Sequence, residues 1–211
     1  MILSHKHQFI FFSCGKTGST SVRKALKWKN QDKGFVQRVD QVLEEQRRKF
    51  SKPYHPVHAR PSVVRHLLEE EKWNTYFKFV FVRNPWDWVL SQFCFNNPSE
   101  VHALHQFTEF HVDHVFHHMK LHNQVEEDES YFQHRFVLEE DGSKLVDFVG
   151  RYERFQDDFD AVCEKIGFGR IRLPRKNQVK HANYKQLYTQ GAVKRVAELY
   201  IKDIELLGYD F

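Results

Sequence analysis

Nowhere in its 211 residues does the sequence contain the run of about 18 uncharged apolar residues that a membrane helix needs. Its opening, MILSHKHQ, also has no long apolar core of the kind a secretory leader carries. Both absences set the expectation of a soluble chain without a membrane span. Cysteine is scarce: Cys14, Cys94 and Cys163 are odd in number, far apart and without CxxC spacing. That argues against a disulfide scaffold, fits a reducing compartment and makes the cytoplasm the default location. A soluble fragment cut from a membrane-anchored parent would look the same.

No block of one charge sign stands out. The formal net charge is +4, but cations alternate with acids, as where VLEEQ meets QRRKFSKP, which is the pattern of a solvated face. With no nucleic-acid reading motif present, nucleic acid is not an expected partner, whereas an anionic ligand suits the positive balance. Repeats and low-complexity linkers are also missing. The composition is that of a folding chain, 41% hydrophobic and 28% charged with twenty Phe. A chain of this length can bury about 70% of its unfolded surface, so a single domain over 1–211 is expected.

What is present is an alternation of strand and helix signals. HQFIFF reads as a buried strand, followed by a glycine loop and then STSVRKALKW, where Val22, Ala25 and Leu26 recur at helical spacing. Phe35, Val39, Val42, Leu43 and Phe50 form one helical stripe, and a second helix is expected over 61–73, opened by Pro61 and Ser62. YFKFVFV at 76–82 suits a parallel strand covered on both faces. Asn84 then caps a helix that begins at Pro85.

Residues 96–130 hold seven histidines and several Phe without a strand signal, and read as a helical insertion. Asp141-Gly142 marks a hairpin, a helix is expected from about 154 to Gly167, and a closing amphipathic helix over 190–207. Together these imply a three-layer, P-loop-like α/β domain with a central, mainly parallel sheet. In such sheets ligands bind at the carboxyl ends of the strands.

SCGKTGSTS at 13–21 sits at one such end. Glycines let backbone amides turn inward, a following helix adds unpaired amides and a partial positive charge, and hydroxyls with Lys16 supply further donors. All of these favour an oxyanion. A plain strand-to-helix turn also needs Gly and N-capping Ser or Thr, yet leaves Lys16 without a reason. The nucleotide-triphosphate loop GxxxxGK[ST] fits poorly, because its first glycine would fall on Ile10 inside the strand. The second strand runs into Arg83-Asn84-Pro85, a cation where a phosphoryl-transfer enzyme of that class needs a metal-binding aspartate. Two anion sites served by fixed cations without a metal are therefore expected. Ser91 lies seven positions after the Asn84 cap, on the same helix face.

The strand, KTGSTS, and RNP followed by Ser91 resemble the two nucleotide-binding motifs of the sulfotransferases that use 3'-phosphoadenosine 5'-phosphosulfate (PAPS). The resemblance is nearest to the carbohydrate-type, sulfotransferase family 2-like group, and extends to WNTYFKFVFVRNPWDWVLSQF, DGSKLVDFVGRYERFQDDFDAV and YIKDIELLGYDF. It implies a 5'-phosphosulfate loop at Lys16, Thr17, Gly18, Ser19, Thr20 and Ser21, a 3'-phosphate site at Arg83 and Ser91, and adenosine 3',5'-bisphosphate (PAP) as product. It also implies a hydroxyl-bearing acceptor, with a glycan as one candidate. Two departures are visible: Trp88 stands where the group often has Arg, and an Asn-x-Ser tail pattern is here Asn177-Gln178-Val179. Contacts from Arg175, Lys176 and Asn177 stay open.

In-line sulfuryl transfer needs alignment, neutralisation of the leaving phosphate and removal of a proton. Lys16 suits the second task as a point charge with three donors. For the base, the resemblance points to His58, with His55 or a carboxylate as rivals. The histidines at 111, 114, 117, 118 and 122 have helical spacing that can serve a metal, but no cysteine or supporting pattern accompanies them, and none is expected to bind one. Trp86 and Trp88 read either as an acceptor-side wall for a sugar ring or as core packing. A degenerate P-loop kinase and a non-catalytic module binding nucleotide or glycan are the competing functional readings.

Overall fold

The computed structural model describes residues 1–26, 31–47, 59–123, 132–174 and 183–211. In chain order the elements are β1 (Ile2–Ser4), β2 (Phe9–Phe12), α1 (Ser19–Ala25), α2 (Lys33–Arg47), α3 (Pro61–Leu67), α4 (Glu70–Thr75), β3 (Phe77–Val82), α5 (Pro85–Asn96), α6 (Glu109–Asn123), β4 (Phe148–Arg151), α7 (Phe155–Lys165), α8 (Tyr184–Leu187), α9 (Gln190–Leu199) and α10 (Ile201–Leu207). This is the expected α/β class. They fall into two compact units, Met1–Val82 with Glu129–Lys176, and Arg83–Asp128 with Asn177–Phe211. Among the described residues no helix is long and apolar enough to cross a membrane.

The first unit is built on a four-stranded sheet of order β1-β2-β3-β4, mostly parallel and flanked by helices. β1 pairs antiparallel with β2, while β2 with β3 and β3 with β4 are parallel, in registers such as Phe12↔Val80 and Val82↔Arg151. The two-residue alternation of a strand sorts the aromatics. Phe9, Phe11, Phe79 and Phe81 share one core cluster with Val22 and Ala25 of α1 and with Phe159, Val162 and Cys163 of α7. Ile10, Phe12, Val80 and Val82, from the alternate positions, are equally buried, so both apolar runs are covered on both faces.

Two residues break the apolar pattern, each for a visible reason. Lys78 is buried in β3, and its ammonium donates to the carbonyls of Trp73 (3.0 Å) and Tyr76 (2.9 Å) and pairs with Asp147 at 2.9 Å. Every one of its three donors therefore has an oxygen. Gly150 lies opposite Phe81, and a Cβ there would collide with the Phe81 ring, which covers the space a side chain would fill.

Sequence and structure differ in four places. β1 carries no strand signal of its own beyond two buried residues, Ile2 and Leu3. The helix expected over 61–73 breaks into α3 and α4, because Leu68 and Glu69 are extended. The Asp141-Gly142 hairpin reduces to a tight turn: Gly142 has φ 81, the Asp141 carboxylate accepts from Ser143 N, and one antiparallel bridge joins Leu138 to Lys144. The strand forms just beyond it, where Asp147 N donates to the Lys78 carbonyl and the Asp147 carboxylate accepts from Lys78 N, docking β4 parallel to β3. The fourth difference lies in the second unit: the helix expected over 190–207 divides at Tyr200, whose ring is buried against Trp88 (5.8 Å) and Phe116 (6.4 Å).

The second unit is otherwise helical, and α6 occupies much of the His- and Phe-rich segment, packed against α5 and α9. Asn84 caps α5 as expected, its Oδ1 accepting from Trp86 N, and its Nδ2 donates to the Asp210 carbonyl at 2.7 Å. Trp86 and Trp88 are core residues: Trp86 Nε1 donates to the Val193 carbonyl and its ring meets Phe211 edge-on at 5.6 Å. Both indoles are only 4% and 2% exposed, which corrects the reading of them as a wall for a sugar ring.

In the first unit α2 begins on a charged cap. The Asp32 carboxylate accepts from Phe35 N at 3.0 Å, and its other oxygen meets His5 Nε2 at 3.0 Å, while His5 Nδ1 contacts the Tyr76 hydroxyl at 2.8 Å. The Phe35 amide first, and His5 after it, hold the Asp32 carboxyl below the usual aspartate range. A lowered folded value means that the stabilisation is complete above the unfolded value of about 3.9 and is lost as the pH falls through the folded one. Asp32→Ala should cost about 1 kcal/mol near neutral pH. The difference in melting temperature from wild type should narrow below about pH 4, as a thermal-melt series in acid would show.

Candidate functional site

β2 delivers the chain to the loop with Ser13 and Cys14 still buried. Lys16 then adopts φ 60 and Gly18 φ 81, two left-handed residues in three positions. For Gly18 this is ordinary, but for a lysine it costs about 1–2 kcal/mol. The turn is locked from within by Thr17, which is fully buried and donates its Oγ1 to the Cys14 carbonyl at 3.0 Å. It is locked from outside by Phe155, the first residue of α7, whose ring lies where a Gly18 Cβ would be. Phe155 is itself held edge-on against Phe81 at 5.1 Å.

Gly18 is the N-cap of α1, and its carbonyl accepts from Ser21 N and Val22 N. Lys16 and Thr20 are half-buried, whereas Ser19 and Ser21 are buried. The loop therefore brings together Lys16, Thr17, Gly18, Ser19, Thr20 and Ser21 at the carboxyl end of β2. As a donor to an oxyanion Thr17 can offer its backbone amide only, since its one hydroxyl proton is directed to Cys14. Arg23, one turn along α1, makes a long hydrogen bond from Nη2 to Thr20 Oγ1 at 3.4 Å, and burial pulls its guanidinium below the ordinary arginine value. Its charge persists regardless.

Arg83 and Ser91 belong to the second unit, where both are buried. The Arg83 guanidinium is held through Nε by the Asp87 carboxylate at 2.7 Å, with side chains 8% and 15% exposed. That pair fixes the plane of the arginine fork and uses one of its five N–H donors. Asp87 was legible as the i+4 partner of Arg83 in RNPWD. Arg23 was legible in the same way as the i+3 neighbour of Thr20, whereas Phe155 carried no comparable signal, because its contact with Gly18 depends on how α7 folds back. His58, His55, Arg175, Lys176 and Asn177 lie outside the described residues.

On α6, His111 accepts at Nδ1 from Thr108 N at 3.0 Å and stacks on Phe107, and burial lowers its pKa. His114 and His118 stack at 6.3 Å. Among the described residues no group of three His, Cys, Asp or Glu could hold a metal ion.

Fold and loop together define an α/β protein in which a strand, a left-handed cationic turn and a helix follow one another. The sequence model of the sulfotransferase family matches residues 1–210, and the chain belongs to that family. An uncharacterized protein of Archaeoglobus fulgidus is 25% identical over 125 residues, 59% of this chain and 96% of that protein. No solved structure matches.

The clamp on the turn can be measured. Gly18→Ala should lower stability by the left-handed penalty of about 1–2 kcal/mol plus the collision with Phe155. In a Phe155→Ala background the added cost should fall to the backbone penalty alone, so a double-mutant cycle read by urea melts should show coupling above about 0.5 kcal/mol.

Proposed function

We propose that this protein transfers the sulfuryl group of PAPS to an acceptor hydroxyl, a glycan hydroxyl being the first candidate, and releases PAP. The observation that carries the reading is the left-handed lysine: a strained cation at a strand tip, over-determined by Thr17 and Phe155, is the kind of outlier that clusters at ligand clamps. The family match over nearly the whole chain supports the same chemistry.

In the proposed reaction the acceptor oxygen attacks sulfur in line with the bridging oxygen of the phosphosulfate. The new O–S bond forms as the bond between sulfur and the bridging oxygen breaks, and the electron pair stays on the 5'-phosphate. Lys16 neutralises that developing charge, while the amides of the 16–21 turn and the hydroxyls of Ser19, Thr20 and Ser21 cradle the phosphosulfate. Arg83, oriented by Asp87, and Ser91 take the 3'-phosphate. His58 accepts the proton of the acceptor hydroxyl.

The kinase reading has less support. Ile10, where the first glycine of a triphosphate loop would stand, is fully buried in β2, and β3 runs into Arg83 where that class needs a metal-binding aspartate. Thermal melts separate the readings. PAP at 100 times its Kd should stabilise the protein by about 2.7 kcal/mol, and ATP with Mg²⁺ should leave the midpoint almost unchanged. The reverse result would sink the proposal. With labelled PAPS, Lys16→Ala should lower turnover about 10²- to 10³-fold. Arg83→Ala should weaken PAP binding, and His58→Ala should reduce turnover while PAP affinity is retained.

A further inference from the structure

A cavity of about 470 Å³ in the first unit is lined by Gln156, Arg170 and Arg172, none of which the proposed reaction uses. Its size falls within the range of small-molecule sites. The wall is held in advance of any ligand. Gln156 Nε2 donates to Asp160 Oδ1 (2.7 Å) and to the Ile171 carbonyl (3.0 Å), and its Oε1 accepts from Leu173 N (2.9 Å). The peptide groups on both sides of Arg172 are thus pinned to α7. Ile171 and Leu173 pack with the core, while Arg170 and Arg172 are exposed, so the two guanidiniums project from one side of a fixed backbone.

Asp160 pairs with Arg170 Nε at 2.9 Å and occupies one donor of the five. Arg172 enters no ion pair among the described residues. Among the described residues of this wall, one carboxylate stands against two guanidiniums, a positive balance with paired donors suited to a planar or tetrahedral oxyanion. Its position on the fold supplies the connection: Gln156 directly follows Phe155, so the first turn of α7 bears the cavity wall and also the ring that clamps Gly18.

We propose that this cavity is a second oxyanion site, which takes a carboxylate, sulfate or phosphate group carried by the acceptor molecule and distinct from the group transferred. The assignment to the acceptor rests on the sulfuryl-transfer reading above. A free inorganic anion offers the same chemistry, and the test separates the two sources.

Isothermal titration at 0.05 and 0.15 M salt would compare a sulfated hexasaccharide, neutral maltohexaose and sodium sulfate. The proteins are wild type, the double variant Arg170→Ala with Arg172→Ala, the single variant Arg172→Glu, and a control that removes two cations elsewhere in the same unit, Arg65→Ala with Lys72→Ala. The hexasaccharide should bind wild type, and the cavity variants should weaken it about 10- to 100-fold. The control should change its Kd less than about threefold. Maltohexaose should not bind, sodium sulfate should bind far more weakly than the hexasaccharide, and PAP affinity should be the same in all four proteins.

Four results would each overturn the proposal: no hexasaccharide binding to wild type, undiminished binding in the cavity variants, an equal loss in the control, or weakened PAP binding in the cavity variants, which would give the cavity to the donor. Sodium sulfate binding as tightly as the hexasaccharide would overturn the assignment to the acceptor. If wild type fails to bind PAP, the donor reading falls, and the hexasaccharide titrations still decide whether the cavity holds an oxyanion.

Discussion

Three consecutive residues at the tip of β2 must hold a lysine in a backbone conformation that lysine disfavours. A left-handed residue persists only where its surroundings leave it no cheaper alternative, and here the surroundings are specific. The buried strand pair β2 and β3 fixes where the turn starts, the Thr17 hydroxyl closes it on Cys14, and the Phe155 ring fills the space above Gly18. Phe155 in turn depends on Phe81, and through it on the register that sets Phe81 over Gly150. The placement of one cation is thereby distributed over the sheet and two helices.

The two cations treated as anion ligands are held by different means. Lys16 is half-buried, positioned by its backbone, and carries a flexible stem that can follow a moving charge. Arg83 is almost fully buried and is oriented by a carboxylate four positions on, about one turn away, in RNPWD. A buried pair of this kind contributes little net stability, since desolvation offsets its Coulomb energy, so its value lies in fixing the geometry of the fork. A rigid arginine suits a phosphate that remains still, and an adaptable lysine suits an oxygen on which charge accumulates.

Much of this was readable in the sequence. The apolar runs FIFF and FKFVFV, the Asn84-Pro85 helix start, the stop at Gly167 and the α/β class all follow from patterns within a dozen residues. The loop chemistry was equally local, because glycine, hydroxyl and lysine spacing defines what a strand-to-helix turn can offer. The elements that the sequence left open or misplaced share one cause. The tryptophans of PWDW look like a surface for stacking until α9 and Phe211 cover them, and the stripe over 190–207 looks continuous until Tyr200 turns its ring toward Trp88.

The sequence by itself determined the two long apolar strands and the helix starts that follow them, that a cationic loop ends the first of those strands, and that a second cation ends the next, since backbone propensity and short-range periodicity decide such matters. Only the tertiary structure decided that Phe155 caps Gly18, that Asp147 draws β4 alongside β3, and that Arg170 and Arg172 share one cavity. Lys78 and Asp147 are 69 positions apart, Gly18 and Phe155 further still, and the cavity wall forms only where Gln156 bonds Ile171 and Leu173, 15 and 17 positions on, so their energies depend on distances that no local pattern encodes.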